Sequence, residues 1–429
     1  NMNSQRIVSR VLDGLILLVF ILFFSSAGFQ DRNTSGWYQQ YFPNLNGSTI
    51  KDITFLDSLT GFAVTTTNSS VQAYILKTTN GGDNWNIIFT YIPPSVNSGF
   101  NRIQFANSST GYTSTDYFDL FKTTNGGGDW VNYPNQPTGA DDFYAINSDT
   151  LFYVSNSGFG GGVYRSTNGG INWTRIWTNG TSGNPDKIYM YDKNLGFACT
   201  DNTISSIFYR TTNGGIDWTN LNDSSFYGIQ FYDSLIGWKQ TRSGVKKTID
   251  GGLTWIRQIT PYFFFQGYTD LSLINRDTLW YVGSAILKNN TGYGVICKTT
   301  NGGLNWGYQI PDTVISKISW FYKIDFVNKN NGWAYIDTSG VHTKVGGNDT
   351  TIFTLININD TEISDYQLYQ NYPNPFNTRT VIRYIVTGSP IRSLGDDKVM
   401  LKVYDVQGQE VQTLVQGKLN PGVYEYIFN

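Results

Sequence analysis

Of the 32 acidic residues in this 429-residue chain only three are glutamates, Glu362, Glu410 and Glu425, and there is a single histidine, His342. One histidine gives a Ser-His-Asp relay or a histidine-built metal site nothing to build on. No metal or cofactor is therefore expected, and His342 reads as a plain exposed or packed residue, dispensable for chemistry. Glycoside hydrolysis generally uses two carboxyl groups, and an inverting pair stands about 6.5–9.5 Å apart to admit a water. With the glutamates confined to the C-terminal part, such a pair would consist of aspartates, and Asp52, Asp142 and Asp270 are the candidates. They also belong to a second pattern, because Asp52, Arg102, Asp142, Lys187, Gly228, Asp270 and Lys323 each stand just ahead of a short apolar run. Their charges alternate almost throughout. Two readings stay open: a ring at one mouth of a central channel, paired between neighbours, or ordinary exposed charges worth about 0–1 kcal/mol per pair.

The elements that must position these residues announce themselves by repetition. Thr78-Thr79-Asn80-Gly81-Gly82-Asp83-Asn84-Trp85 has near-copies beginning at Thr123, Ser166, Thr211, Thr248 and Thr299. The tryptophans fall at Trp85, Trp130, Trp173, Trp218, Trp255 and Trp306, in steps of 45, 43, 45, 37 and 51 residues. Repeats of that length with strand signals between them point to propeller blades. Asn80, Gly81 and Gly82 make a turn, since glycine accepts positive φ and an Asn side chain bonds nearby amides. Each Trp is expected to wedge between neighbouring sheets, burying about 150–250 Å².

Upstream of each copy lies an innermost-strand signature: an apolar run, Asp or Asn, a turn, then Gly or Leu before an aromatic. There are seven, Ile53 to Phe62, Ile103 to Tyr112, Phe143 to Phe152, Ile188 to Phe197, Ile229 to Trp238, Leu271 to Trp280 and Ile324 to Trp333. The seventh is followed only by Thr343 to Thr350, which keeps two glycines but lacks the Asn and the Trp. Trp37 to Phe42 looks like the tail of a blade without a head. The expectation is an all-β, seven-bladed propeller of four-stranded blades, closed by pairing the N-terminal strand into the last blade, which removes open edges.

The pattern Thr-x-Asn-x-Gly-x-x-Trp resembles the Asp-box repeat of sialidase-type and photosystem-assembly-factor-type propellers, with Asn replacing Asp except at Asp250. In those families the box is mainly a folding element set away from the catalytic face. Sialidase-like chemistry uses a Tyr activated by a Glu, a route closed by the placement of the glutamates. An aspartate pair would match the xyloglucanase-type propellers that also carry such boxes. Leu368 to Asn377, Val381 to Tyr384, Val399 to Asp405, Gly408, Glu410 to Val415 and Pro421 to Phe428 resemble the type A C-terminal sorting domain of the type IX secretion system. That resemblance implies a small β-sandwich addressing cargo to an outer-membrane translocon. Thr378 stands where Pro is common, Thr387 to Lys398 is a longer connection than usual, and the family pattern continues beyond Asn429, so the sorting domain reads as truncated.

The segments expected are a signal peptide over 1–30, the propeller over 31–355, a polar linker over 356–365 and the sorting domain over 366–429. Arg6 and Arg10 precede an apolar core from Leu15 to Phe24, with small residues after it. That core is too short to span a bilayer as a mature helix, and no Cys follows it to carry a lipid anchor. A net charge of −2 gives no basic field for nucleic acid. Charged residues make up 14% and aromatics 16%, against about 25% charged in typical soluble domains, so the surface is neutral and ring-rich. Cys199 and Cys297, placed in the fourth and sixth blades, are too far apart to bridge and read as small buried hydrophobes.

Tyr91, Tyr133, Trp177, Tyr262-Phe263-Phe264-Phe265, Tyr308 and Trp320 are expected on the face opposite the boxes. Such rings suit a glycan or a protein partner. The ligand-binding candidates are Tyr262, Phe263, Phe264, Phe265, Trp177 and Trp320. The expected function is a secreted or cell-surface binding or scaffold module at the outer-membrane exterior, without catalysis. The rivals are an extracellular carbohydrate-active hydrolase using two aspartates, and an assembly factor for a membrane complex.

Overall fold

The computed structural model describes residues 36–353 except 68–71, 96, 118, 134–139, 158–159, 181–182, 201–206, 259, 261–263, 289–290, 312–319 and 349–350. It also describes 367–368, 379–386, 398–404, 410–418 and 422–428. The expected signal peptide and linker lie outside these residues. The chain divides into two units, Asn1–Phe353 and Thr354–Asn429.

The first unit is a ring of seven antiparallel sheets. The first blade runs Thr49–Phe55, Gly61–Thr66, Ala73–Thr78 and Asn86–Tyr91, each strand paired with the next. The innermost strands of the other six are Phe100–Phe105, Ala140–Ala145, Lys187–Met190, Gly228–Phe231, Phe264–Leu273 and Lys323–Phe326. Tyr38–Tyr41 pairs with the third strand of the seventh blade, Ser339–Thr343, with Tyr38 opposite His342. This is the closure expected from the sequence. Because the N-terminal strand occupies that edge, the chain beyond Thr343 goes elsewhere. Thr351–Phe353 instead adds a fifth strand to the sixth blade, against Trp306–Gln309.

Three devices recur around the ring, the second losing its Asn in the seventh blade, where Val345 takes that place. Asp57 accepts the amides of Leu59 and Thr60 in the turn after the innermost strand. Asn107, Asn147, Asp192, Asp233, Asn275 and Asn328 repeat this in the other blades. In the box, Thr78 Oγ1 accepts the Gly82 amide at 2.9 Å, while Asn80 Oδ1 accepts both the Thr78 hydroxyl and the Asn84 amide. Gly81 N then donates to Leu59 O, tying box to turn at 2.8 Å. Asp250 performs the Asn80 role in the fifth blade, so Asn80→Asp is expected to be silent. Asn80→Ala should lower stability in urea melts by about 1 kcal/mol, the usual loss for a local side-chain acceptor. Equal effects of the two variants would contradict this assignment.

The choice between Gly and Leu ahead of the second-strand aromatic has a steric cause. Gly61 sits directly opposite Phe55, and a Cβ there would lie 2.4 Å from the Phe55 ring. The same holds for Gly111 under Phe105, Gly237 under Phe231 and Gly332 under Phe326. Leu is accommodated only where the opposite residue is not aromatic, at Leu151 facing Ala145 and Leu279 facing Leu273. The aromatic that follows is fully buried in all seven blades, as Phe62, Tyr112, Phe152, Phe197, Trp238, Trp280 and Trp333. Several stack on the Phe of the next blade: Phe62 on Phe105 at 4.3 Å, Trp280 on Phe326 at 4.3 Å and Trp333 on Phe55 at 3.5 Å.

The box tryptophans pack against the preceding blade, as wedges should. Trp85 meets Tyr335 and Phe42 of the closing blade, Trp255 meets Phe197 and Phe208 of the fourth, and Trp306 meets Trp238 of the fifth. The seventh box proves to be split across the ring closure. Its glycines are Gly346 and Gly347, with the Gly347 amide on Thr343 Oγ1, and its tryptophan is Trp37 from the other end of the chain. Trp37 is fully buried against Trp280 and Phe326 and donates to Gln309 Oε1 at 2.7 Å.

Cations just ahead of the boxes reach the next blade: Lys77 donates to Gly126 O, Lys122 to Gly169 O, Arg210 to Gly251 O and Lys247 to Gly302 O. In the seventh blade that slot holds His342, fully buried and stacked on Trp333. Burial, with Lys344 nearby, pushes His342 down to about 3 and keeps it neutral. Cys199 and Cys297 are both buried, and neither is part of a disulfide.

In the second unit, Gln367–Leu368, Thr380–Val386 and Gly422–Phe428 form one antiparallel sheet, and Lys398–Tyr404 pairs with Glu410–Lys418 in another. No helix among the described residues is long and apolar enough to cross a membrane.

Candidate functional site

The beginnings of the innermost strands converge on a central cavity of about 620 Å³. Asp52, Arg102, Asp142, Lys187, Gly228, Asp270 and Lys323 all line it. The ring therefore lies around the channel, at the end opposite the boxes. Register shifts at Ile50/Asp52, Phe100/Arg102, Ala140/Asp142 and Phe265/Asp270 interrupt four of these strands. A bulge re-aims side chains, and it brings consecutive residues such as Asp141 and Asp142 to the cavity wall.

Pairing between blades is direct. Arg102 Nη1 contacts both Asp142 oxygens, at 2.7 and 2.9 Å, and Lys323 Nζ lies 3.0 Å from Asp52 Oδ1. Burial opposes the charge on Lys323, but Asp52 and Asp270 outweigh it and hold the ammonium above its ordinary range. The same competition, won by Asp142, raises Arg102.

The carboxylates do a second job. Asp52 Oδ2 accepts the Ile103 amide of the next blade at 2.9 Å, Asp142 Oδ2 accepts that of Ile188 at 3.1 Å, and Asp270 Oδ2 that of Ile324 at 3.3 Å. Two residues further along the strands a lower tier repeats the theme. Gln104 bonds both the amide and the carbonyl of Ala145, and Gln230 reaches the Leu273 amide. Tyr189 Oη accepts from Phe231, Ser272 Oγ from Phe326, and Asp325 Oδ2 from Phe55 at 2.7 Å. Burial, then Asp270 and Asp52, push Asp325 up to about 7. Asp141 is pushed up to about 6 by burial, with Asp186 and Asp142 adding to it and the Asn156 amide opposing.

The match to known proteins is decided by the repeat region. A family model described as photosynthesis system II assembly factor YCF48 matches residues 30–345. The chain belongs to the YCF48 family. No curated protein matches it. Among solved structures, YCF48 bound to D1 peptide is similar at 19% identity and a TM-score of 0.55, covering 72% of this chain and 97% of that one. YCF48 from Cyanidioschyzon merolae is similar at 19% identity and a TM-score of 0.51, covering 72% and 98%. At that identity the likeness establishes the propeller fold of the family.

In this YCF48-family propeller the three aspartates named from sequence share one channel, and each is bonded to the backbone of the following blade. The aromatic candidates are dispersed. Trp177 is half-buried between Tyr209 and Trp218, at ring distances of 5.1 and 6.2 Å. Trp320 is half-buried beside Tyr322. Tyr262 and Phe263 lie outside the described residues. Phe264 and Phe265 open a ten-residue innermost strand, pairing with Ala285 and Ser284. Innermost strands elsewhere have four to seven residues, so the sixth blade is extended on the ring face. Asp325 was missed by sequence reading because nothing local distinguishes it from any strand residue.

Proposed function

We propose that this chain is a non-catalytic recognition module that binds a polypeptide over the channel face and is exported through the type IX system to the cell surface or medium. The observation that carries the binding reading is the double use of Asp52, Asp142 and Asp270, each held by the next blade's amide, two of them also by cations. A catalytic acid or base must be free to exchange protons with substrate, and these are fixed as struts. A polypeptide as ligand is favoured by the D1 peptide bound to the YCF48 relative of known structure. The apolar core after Arg10, and the motif run from Leu368 to Phe428, support export.

Purified full-length protein should capture members of a peptide array and release no reducing sugar from a panel of polysaccharides. Sugar release lost in Asp142→Asn would replace the binding reading with the hydrolase one. For export, deleting 366–429 should retain the protein in the periplasm of a type IX-competent host. Unchanged surface delivery would remove that part of the proposal.

A further inference from the structure

The cavity wall carries more carboxylates than cations. Asp52, Asp141, Asp142, Asp186, Asp270 and Asp325 face Lys51, Arg102, Lys187 and Lys323. Two of the carboxylates, Asp52 from the first blade and Asp270 from the sixth, act on one ammonium, that of Lys323 from the blade between them, and they are also the charges that act on Asp325 two residues further along that strand. The excess is thus greatest around Asp325, whose carboxyl accepts the backbone amides of Phe55 and Phe326. The walls independently show what they accept. Arg102 lies over the Tyr144 ring at 5.5 Å, and Lys187 over Tyr227 at 4.8 Å. Aromatic faces in this channel already serve as cation seats, each contact of a kind worth about 0.5–2 kcal/mol.

We infer that the channel is a receptor for a cationic group, the guanidinium or ammonium of a basic side chain, entering through the charged ring to lie near Asp325. This rests on the polypeptide-binding reading and gives it a chemical preference. A single extended side chain fits a space of about 620 Å³, and the ring residues, paired with one another, stay in place around it. The inserted cation would favour the ionised form of Asp325, whose carboxyl is pushed up to about 7 by burial and by Asp270 and Asp52. Binding at pH 7 should therefore release a fraction of a proton. The charged groups that act on Asp325 are Asp270 from the sixth blade and Asp52 from the first, and Lys323 stands two residues before it on its own strand.

The test is calorimetric titration of the full-length protein with acetyl-Gly-Arg-Gly-amide and its neutral citrulline counterpart, in buffers of different ionisation enthalpy. Binding of the arginine peptide at least about tenfold tighter, with proton release, is expected; Asp325→Asn should remove the release and most of the preference. Asn retains an oxygen for the Phe55 amide, and a thermal melt checks that the variant is folded. Equal binding of both peptides, binding of neither, or full preference in Asp325→Asn would overturn the inference. A peptide array with hits that ignore basic residues would overturn it while leaving polypeptide binding intact, whereas an array with no hits removes both.

Discussion

Trp37→Ala should lower the unfolding free energy by about 3–5 kcal/mol in equilibrium urea denaturation, the range for a buried Trp or Phe cut to Ala. Trp37 is fully buried in a cluster with Trp280, Phe321, Ile324 and Phe326, so its removal leaves a cavity that the surrounding sheets can fill only by moving. Its indole also donates to Gln309 Oε1, and losing a hydrogen bond of this kind adds about 0.5–1.5 kcal/mol. The position magnifies the loss. Gly36 packs against the Gly347 backbone, so the contacts around Trp37 are those that hold the N-terminal strand in the last blade. Trp173, half-buried within an unbroken box, is the control, and Trp173→Ala should be clearly milder. A loss below about 1 kcal/mol for Trp37→Ala, or one no larger than the control, would show that the split box is not what holds the ring shut.

The second large effect concerns Lys239, which is fully buried in the second strand of the fifth blade. It donates to Ser224 O at 2.7 Å, sits 3.5 Å over the Phe208 ring and lies 3.5 Å from Asp223. Burial pushes its ammonium down to about 7, with Asp223 opposing and Lys246 reinforcing the shift. The unfolded value is about 10.4, so between these limits the unfolded chain binds more protons and this residue makes stability rise with pH. The full penalty stands below pH 7 and is relieved as pH rises towards 10. Lys239→Met should flatten that rise, which approaches about 1.4 kcal/mol per pH unit, and should stabilise the protein at pH 6 by about 1–4 kcal/mol. Asp223 keeps Lys246 as a partner, so no lone charge is left behind. Urea melts at pH 6, 8 and 9.5 would decide. A destabilised Met variant that kept the slope would mean the ammonium contributes more through Ser224 and Phe208 than burial takes away.

The blade plan was legible because each of its devices is local. Thr78, Asn80 and Gly82 close one turn among themselves, and Phe55 facing Gly61 is settled within one hairpin, so both leave a spacing that repeats. The channel ring was legible for a related reason, since a fixed position in a sevenfold repeat maps to a fixed level in the ring. What escaped depends on pairs distant in sequence. Trp37 completes the seventh box from more than 300 residues away, and no window contains both. Asp325 owes its character to burial and to Asp270 and Asp52 from the two adjoining blades. Tyr262 to Phe265 read as an exposed loop run, yet Phe264 and Phe265 continue an innermost strand, because consecutive aromatics suit a strand as well as a surface. Thr351–Phe353 would be placed by order alone in the seventh blade, and only prior occupancy of that edge by Tyr38–Tyr41 sends it to the sixth.

Joining the first strand to the last sheet also sets a timetable. Tyr38–Tyr41 is made some 300 residues before Ser339–Thr343, its neighbour in the sheet. The opening segment must therefore wait, unpaired, through the assembly of six blades, and a clasp between such remote stretches is a slow, non-local step. The circle thus stays open until its final piece arrives, and the propeller cannot lock before nearly all of it has been made.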